Sequence, residues 1–100
     1  MFIVLRGDIS PEAAVVAASH ASLGTYLNWK DDPVMQEWEK TSFVKILKKS
    51  LHKDHFNYIK SLGEHRVFTE STLGNSEVSL GFRVVINPNP LLLEIPLWSL

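Results

Sequence analysis

Three of the carboxylate and imidazole side chains in this sequence stand where they could act as general bases or proton carriers. Asp8 follows a short apolar segment, His20 lies in an alanine-rich segment, and Glu70 follows a segment with strand-like composition. A carboxylate can accept a proton or orient a water, and an imidazole titrates near neutral pH. We therefore take Asp8, His20 and Glu70 as candidate catalytic residues. For His20 a second interpretation stays open, a core histidine satisfied by a backbone carbonyl, Ser19 or Thr25.

Basic side chains form a second candidate group. Residues 40–66 contain seven Lys or Arg and only two acidic residues, whereas the whole chain has a net charge of −1. If Lys48, Lys49 and Lys53 share one face with His52, they could bind phosphates; a solvated helix start is the alternative. Arg6, beside the next helix start, could hold an anion or could pair with Asp8.

Several classes of site are excluded or unsupported. The chain has no cysteine, so it has no disulfide, thiolate metal site or cysteine nucleophile, and a reducing compartment such as the cytoplasm is expected. His52 and His55 stand one helical turn apart, but no third ligand has suitable spacing, so no metal is expected. No glycine-rich phosphate loop is present, and no cofactor is predicted. Apolar segments are too short or interrupted for a signal peptide or a membrane span.

The elements that must position these residues alternate between strand and helix. Ser10, Pro11 and Glu12 are typical of a helix start, and the helix is predicted to continue to about Trp29. Asp31, Asp32 and Pro33 predict a second, shorter helix over residues 34–39. Strands are predicted over residues 2–5, 43–47, 66–69 and 78–86, and a third helix over residues 50–62.

This order predicts a single α/β domain that covers residues 1–100. The chain has 100 residues, of which 45 % are hydrophobic, which suits one modest core. We expect a small three-layer sandwich, in which helices flank a four-stranded mixed sheet with an antiparallel fourth strand. Ligands of open α/β sheets bind beyond the carboxyl ends of the strands. That edge would hold Arg6, Asp8 and Glu70.

Residues 88–100 form an apolar C-terminal tail. Its large apolar residues are too many to leave in water, namely Leu91, Leu92, Leu93, Ile95, Leu97 and Trp98. The tail must therefore pack on its own domain or on a partner, and a homodimer is predicted.

Three segments resemble, in order, the peptidyl-tRNA hydrolase II superfamily. They are FIVLRGD at 2–8, AASHASLGTY at 17–26 and WEKTSFVKIL at 38–47. The resemblance covers most of residues 2–86 and leaves the tail unmatched. It implies a four-stranded mixed sheet flanked by helices, often as a dimer, that hydrolyses the ester between peptide and tRNA. Arg6, Asp8 and His20 stand at matching positions.

The sequence also departs from the family pattern. Ala13 and Ala17 occupy the positions of a Lys and a Gln that the family uses at its active site, and the segment after Glu70 lacks an Arg-Thr pair. Loss of one group that stabilises developing negative charge typically costs about 100- to 1,000-fold in rate. Two functions therefore remain open. One is a hydrolase with Asp8 or Glu70 as base, His20 in support, and the basic face on tRNA. The other is a catalytically degenerate protein of the same fold that binds RNA or a small ligand, with tRNA or another phosphate-bearing molecule as the expected partner.

Overall fold

Four strands form one mixed sheet in the computed structural model, which describes residues 1–99. The strands are β1 (Phe2–Arg6), β2 (Ile46–Ser50), β3 (His65–Glu70) and β4 (Ser76–Phe82), and their order in the sheet is β2-β1-β4-β3. β1 pairs with β2 in parallel, and β4 lies antiparallel between β1 and β3. Three strands therefore share one direction, and the predicted mixed sheet with an antiparallel fourth strand is confirmed.

Helices cover both faces of the sheet, which confirms the three-layer sandwich. They are α1 (Pro11–Trp29), α2 (Pro33–Lys40) and α3 (Lys53–Ile59). α1 and α2 pack on one face around Ile3 and Leu5, and α3 packs on the other around Val4 and Leu80. Among residues 1–99, no helix is both long enough and apolar enough to cross a membrane.

α1 begins where the sequence predicts, because the start signals are local. The Ser10 side chain accepts a hydrogen bond from the Ala13 N–H at 3.1 Å, and Pro11 occupies the first turn. The buried side chains of the helix are small, namely Ala14, Ala17, Ala21 and Thr25. They allow α1 to approach β4 so closely that a Cβ built at Gly81 would lie 1.7 Å from Thr25 Oγ1. No residue larger than glycine fits at this contact.

The second strand and the third helix begin about three residues later than predicted. β2 begins at Ile46 rather than at residue 43, because pairing with β1 sets its register, with Phe2 opposite Ile46. α3 consequently begins at Lys53 and is followed by a 3₁₀ turn, Lys60–Leu62. Residues 48 and 49 are therefore strand residues and not part of a helix start.

The tail lies on its own domain. Leu92 and Ile95 are buried with the α3 side of the core. The last residues pair with the outer edge of β2, where the Lys49 N–H donates to the Pro96 carbonyl at 2.8 Å and the Trp98 N–H donates to the Leu47 carbonyl at 2.9 Å. The burial of Leu92 and Ile95 therefore requires no second chain.

Candidate functional site

The carboxyl ends of β1 and β2 and the start of β4 border a depression of about 700 Å³, which we call the strand-end pocket. It lies at the sheet edge where open α/β sheets bind ligands. The polar side chains that line it are Arg6, Asp8, His52, Lys53, Asn57, Ser76 and Glu77. The pocket therefore combines hydrogen-bond donors with both signs of charge.

Arg6 is held against the wall of this pocket by two contacts. Its Nε donates to Asp8 Oδ1 at 2.5 Å, and its Nη1 donates to the Glu77 carbonyl at 3.2 Å. The sequence left two roles open for Arg6, anion binding and pairing with Asp8. In the structure Arg6 pairs with Asp8. The Asp8 side chain is still 71 % exposed, and its second carboxylate oxygen accepts no hydrogen bond from residues 1–99.

The second acidic side chain of the pocket is also paired. Glu77 Oε1 accepts a hydrogen bond from Lys60 Nζ at 2.6 Å. Lys53 lines the pocket, and the side-chain stem of Lys49 lies against Gly7 at its border. Within residues 1–99, neither Lys49 nor Lys53 forms an ion pair. Because Arg6 pairs with Asp8 and Lys60 pairs with Glu77, Lys53 is the lysine of the pocket lining that has no acidic partner within residues 1–99.

The two histidines at the start of α3 have fixed hydrogen-bond roles. His52 Nδ1 accepts from the His55 N–H at 3.1 Å, and His55 Nδ1 accepts from the Leu51 N–H at 2.8 Å. A ring nitrogen that accepts a hydrogen bond carries no proton, so His52 can donate through Nε2. Burial, together with the charge of His52, lowers the pKa of His55. Within residues 1–99, no group of three or more His, Asp or Glu could hold a metal ion.

Lys48 does not belong to the pocket. Side chains alternate between the faces of a strand, and Lys48 lies opposite Val4 on the α3 side, whereas Lys49 lies opposite Leu5. Lys48 is 5 % exposed, and its Nζ donates to the Leu93 carbonyl at 3.2 Å. The expectation that Lys48, Lys49 and Lys53 share one face is therefore wrong. Lys48 and Lys49 are adjacent strand residues on opposite faces of the sheet, and Lys49 lies on the α1 side, whereas Lys53 belongs to α3.

His20 lies outside the core. It is exposed on α1, beside a shallow groove of about 440 Å³ that Phe68 and Thr69 also line. The interpretation of His20 as a core histidine is wrong, because α1 turns its alanine face, not His20, toward the sheet. Ser19 is not a partner for the ring either, since its hydroxyl donates to the Val15 carbonyl at 2.9 Å.

Glu70 caps a turn at the end of β3. Its carboxylate accepts from the Thr72 N–H at 3.2 Å and from Thr72 Oγ1 at 3.1 Å. These hydrogen bonds, with a smaller contribution from the charge of His20, lower the pKa of Glu70 and make it a weak base. β4 separates β3 from β1, so Glu70 lies at the same sheet edge as Asp8 but outside the strand-end pocket. The structure thus leaves Asp8 apart from His20 and Glu70.

Three polar residues of the pocket, Asn57, Ser76 and Glu77, were not among the sequence candidates. Asn57 follows Lys53 by one helical turn, so this spacing could have placed it on the same side of α3. The pairing of Glu77 with Lys60 joins β4 to the end of α3. No local sequence pattern predicts it, because the two residues are 17 positions apart.

Comparisons of the chain with protein-family models, with curated proteins and with solved structures give no match. Membership of the peptidyl-tRNA hydrolase II superfamily is thus a prediction from three sequence segments. A functional proposal for this chain must rest on those segments and on the strand-end pocket.

Proposed function

We propose that the chain binds a phosphate-bearing ligand, in the first instance the backbone of an RNA such as tRNA, at the strand-end pocket. The observation that carries this proposal is which charged side chains in and beside the pocket are paired and which are not. Asp8 pairs with Arg6 and Glu77 pairs with Lys60. Lys53, which lines the pocket, and Lys49, whose side-chain stem lies against Gly7, have no acidic partner within residues 1–99. Unpaired lysines attract phosphates through a sequence-independent interaction that weakens as salt rises.

Neighbouring donors support the same ligand. His52 Nε2–H and the Asn57 side-chain amide line the pocket beside Lys53 and can donate to phosphate or ribose oxygens. A single-stranded or looped RNA can bind in a shallow surface depression, whereas a small molecule usually needs a more enclosed cavity. The cysteine-free composition favours a reducing compartment such as the cytoplasm.

Titration with tRNA at two salt concentrations tests this proposal. A variant with both Lys49→Gln and Lys53→Gln should bind tRNA about tenfold more weakly at low salt. The slope of its log binding constant against log salt concentration should also fall by about one unit or more, which corresponds to the loss of one or more phosphate contacts. The matched control carries Lys40→Gln and Lys45→Gln, which remove the same charge near the opposite end of β2. We expect the control to bind like the unmodified chain.

Two results would contradict the proposal. The first is no binding of tRNA by the unmodified chain even at low salt. The second is an equal loss of affinity in both double variants, because binding would then depend on overall charge and not on the strand-end pocket. Thermal unfolding of each variant shows whether the fold is unchanged.

Hydrolysis of the peptidyl-tRNA ester is a second candidate function, and one observation favours it. Asp8 exposes a free carboxylate oxygen within the same pocket, with Arg6 beside it. Asp8 could orient or deprotonate the attacking water, and Arg6 could stabilise the negative charge that develops on the carbonyl oxygen. In this mechanism Lys49 and Lys53 hold the tRNA backbone.

Release of labelled peptide from peptidyl-tRNA, with protein in excess, tests this candidate. Hydrolysis at the pocket predicts release by the unmodified chain and none by Asp8→Asn, which should still bind tRNA. Glu70→Gln is the matched control, because this carboxylate lies at the same sheet edge outside the pocket and should not be required. Lack of release by the unmodified chain, or full activity of Asp8→Asn, would refute the assignment.

A further inference from the structure

Three aromatic rings lie in a row along the start and one side of α3. His52, His55 and Tyr58 follow one another at intervals of three residues, a spacing that brings side chains together on a helix surface. The ring centroids of His52 and His55 are 5.9 Å apart, and those of His55 and Tyr58 are 6.5 Å apart. The planes of His55 and Tyr58 differ by only 15°, so these two rings are nearly parallel. We call the three rings the aromatic row.

The aromatic row lies outside the core. The buried side of α3 consists of Phe56 and Ile59, whereas Tyr58 is 52 % exposed. His52 is also exposed, and His55 is half-buried. An aromatic side chain buries a large flat apolar area when a partner packs on it. The Tyr58 ring therefore still has apolar area that a flat ligand can cover.

Backbone hydrogen bonds hold two of these rings in place. His52 Nδ1 accepts from the His55 N–H, and His55 Nδ1 accepts from the Leu51 N–H. A side chain that is already ordered loses less conformational entropy when a ligand binds to it. The aromatic row is thus pre-organised at His52 and His55, and Tyr58 continues it on the helix.

The aromatic row begins at the strand-end pocket. His52 is the first ring of the row and also lines the pocket, together with Lys53 and Asn57. Successive helix residues are rotated by about 100°, so Tyr58 lies away from the side of α3 that carries Lys53. An RNA strand whose phosphates contact Lys53 can therefore place its next bases on the row as it crosses the start of α3.

The charge beside Tyr58 favours a base over a phosphate as the group that contacts this ring. Asp54 stands four residues before Tyr58, so the two side chains are neighbours on the helix surface. Asp54 is exposed and forms no ion pair within residues 1–99. Its carboxylate repels a phosphate, whereas an uncharged base on the Tyr58 ring meets no such repulsion. Every base has an aromatic face, so this contact tolerates any sequence.

We propose that the aromatic row stacks the unpaired bases of a single-stranded or looped RNA whose backbone is held at the strand-end pocket. This inference rests on the proposed binding of RNA and adds the part of the ligand that the lysines do not contact. Phosphate contacts position a nucleic acid, and aromatic side chains engage bases that are splayed out of a helix. A duplex keeps its bases stacked on one another and offers none to the row. The ligand is therefore an unpaired segment rather than a duplex.

Replacement of one ring tests the aromatic row, with a labelled single-stranded RNA of about eight adenosines as the probe. Tyr58→Leu should bind this RNA about tenfold more weakly than the unmodified chain, because it loses a stacked base. Tyr58→Phe keeps the ring and should bind like the unmodified chain. Phe43→Leu is the matched control, because Phe43 is 54 % exposed but lies near the opposite end of β2. We expect this control to bind normally.

An abasic oligonucleotide with the same backbone separates stacking from phosphate binding. The unmodified chain should bind it about tenfold more weakly than the adenosine RNA, and Tyr58→Leu should reduce this difference. Tyr58→Leu should keep the salt dependence of the unmodified chain, because it removes no phosphate contact. The variant with Lys49→Gln and Lys53→Gln should instead bind both oligonucleotides more weakly. Circular dichroism of each variant shows whether α3 is intact.

The outcomes distinguish this inference from the proposed function. If the unmodified chain binds both oligonucleotides equally and the lysine variant weakens both, the pocket binds phosphate and the aromatic row is wrong. Full affinity of Tyr58→Leu for the adenosine RNA also overturns the row. If neither oligonucleotide binds at low salt, the proposed function fails as well. Proline-rich peptides also pack on exposed aromatic rings. Binding of such a peptide, but not of RNA, would assign the row to a protein partner and overturn the inference.

Discussion

Gly81→Ala is expected to lower the free energy of unfolding by about 2–3 kcal/mol, as overpacking of a tight contact does. The new Cβ would lie 1.7 Å from Thr25 Oγ1 and 3.2 Å from the Ala21 carbonyl oxygen. Thr25 is fully buried, so its side chain has no open space to enter. α1 must therefore move away from β4, and the contacts of its alanine face with the sheet would loosen.

Urea unfolding monitored by circular dichroism measures this effect. Gly63→Ala is the matched control, because a Cβ at Gly63 would meet Phe82 at an ordinary 3.4 Å. Thr25→Ala in the Gly81→Ala background removes the nearest clashing atom and should recover part of the lost stability. If Gly81→Ala unfolds at the same urea concentration as Gly63→Ala, the close approach of α1 to β4 is wrong.

Leu92→Ala is expected to destabilise the fold by about 2–4 kcal/mol, the range for deleting a buried leucine side chain. Leu92 is 2 % exposed and packs into the α3 side of the core together with Phe2 and Phe56. Its removal leaves a cavity beneath the tail, and the tail then loses an anchor on the sheet.

The neighbouring residue supplies the control for this prediction. Leu93 is 62 % exposed, and Leu93→Ala should change the free energy of unfolding by about 0.5 kcal/mol or less. Both variants are compared in the same urea titration. Equal stabilities would show that the tail contributes no core contact in solution, and the packing of Leu92 would have to be abandoned.

The starts of α1 and α2 are predictable because their signals are local. Ser10 caps α1 through a residue three positions on, and Asp32 Oδ1 accepts from the Val34 N–H at the start of α2. The start of β2 is less predictable, because its bounds depend on pairing with β1, more than forty residues away. Lys48 likewise looks solvated in sequence, since its acceptor, the Leu93 carbonyl, is remote along the chain.

In the candidate site, too, contacts between residues close in sequence were predictable, whereas contacts between remote residues were not. Arg6 and Asp8 are two residues apart, so their pairing could be considered from sequence. The pairing of Lys60 with Glu77, which leaves Lys53 without an acidic partner in the pocket, depends on the tertiary arrangement of α3 and β4. The exposure of His20 was not predictable by periodicity, because α1 is apolar on nearly all sides and hydrophobic spacing does not identify its buried face.

The pairing of the tail with β2 has a consequence for aggregation. An uncovered edge strand offers free N–H and C=O groups to the strands of other chains and so favours fibril growth. Here the tail occupies the outer edge of β2, and Pro96 in that segment has no N–H to offer a further strand. At the opposite edge, the pairing of β3 with β4 has a register shift between Phe68 and Thr69, and such an irregularity bends and twists an edge strand. The tail on one edge and the irregular strand at the other therefore leave the sheet a poor template for strands of other chains.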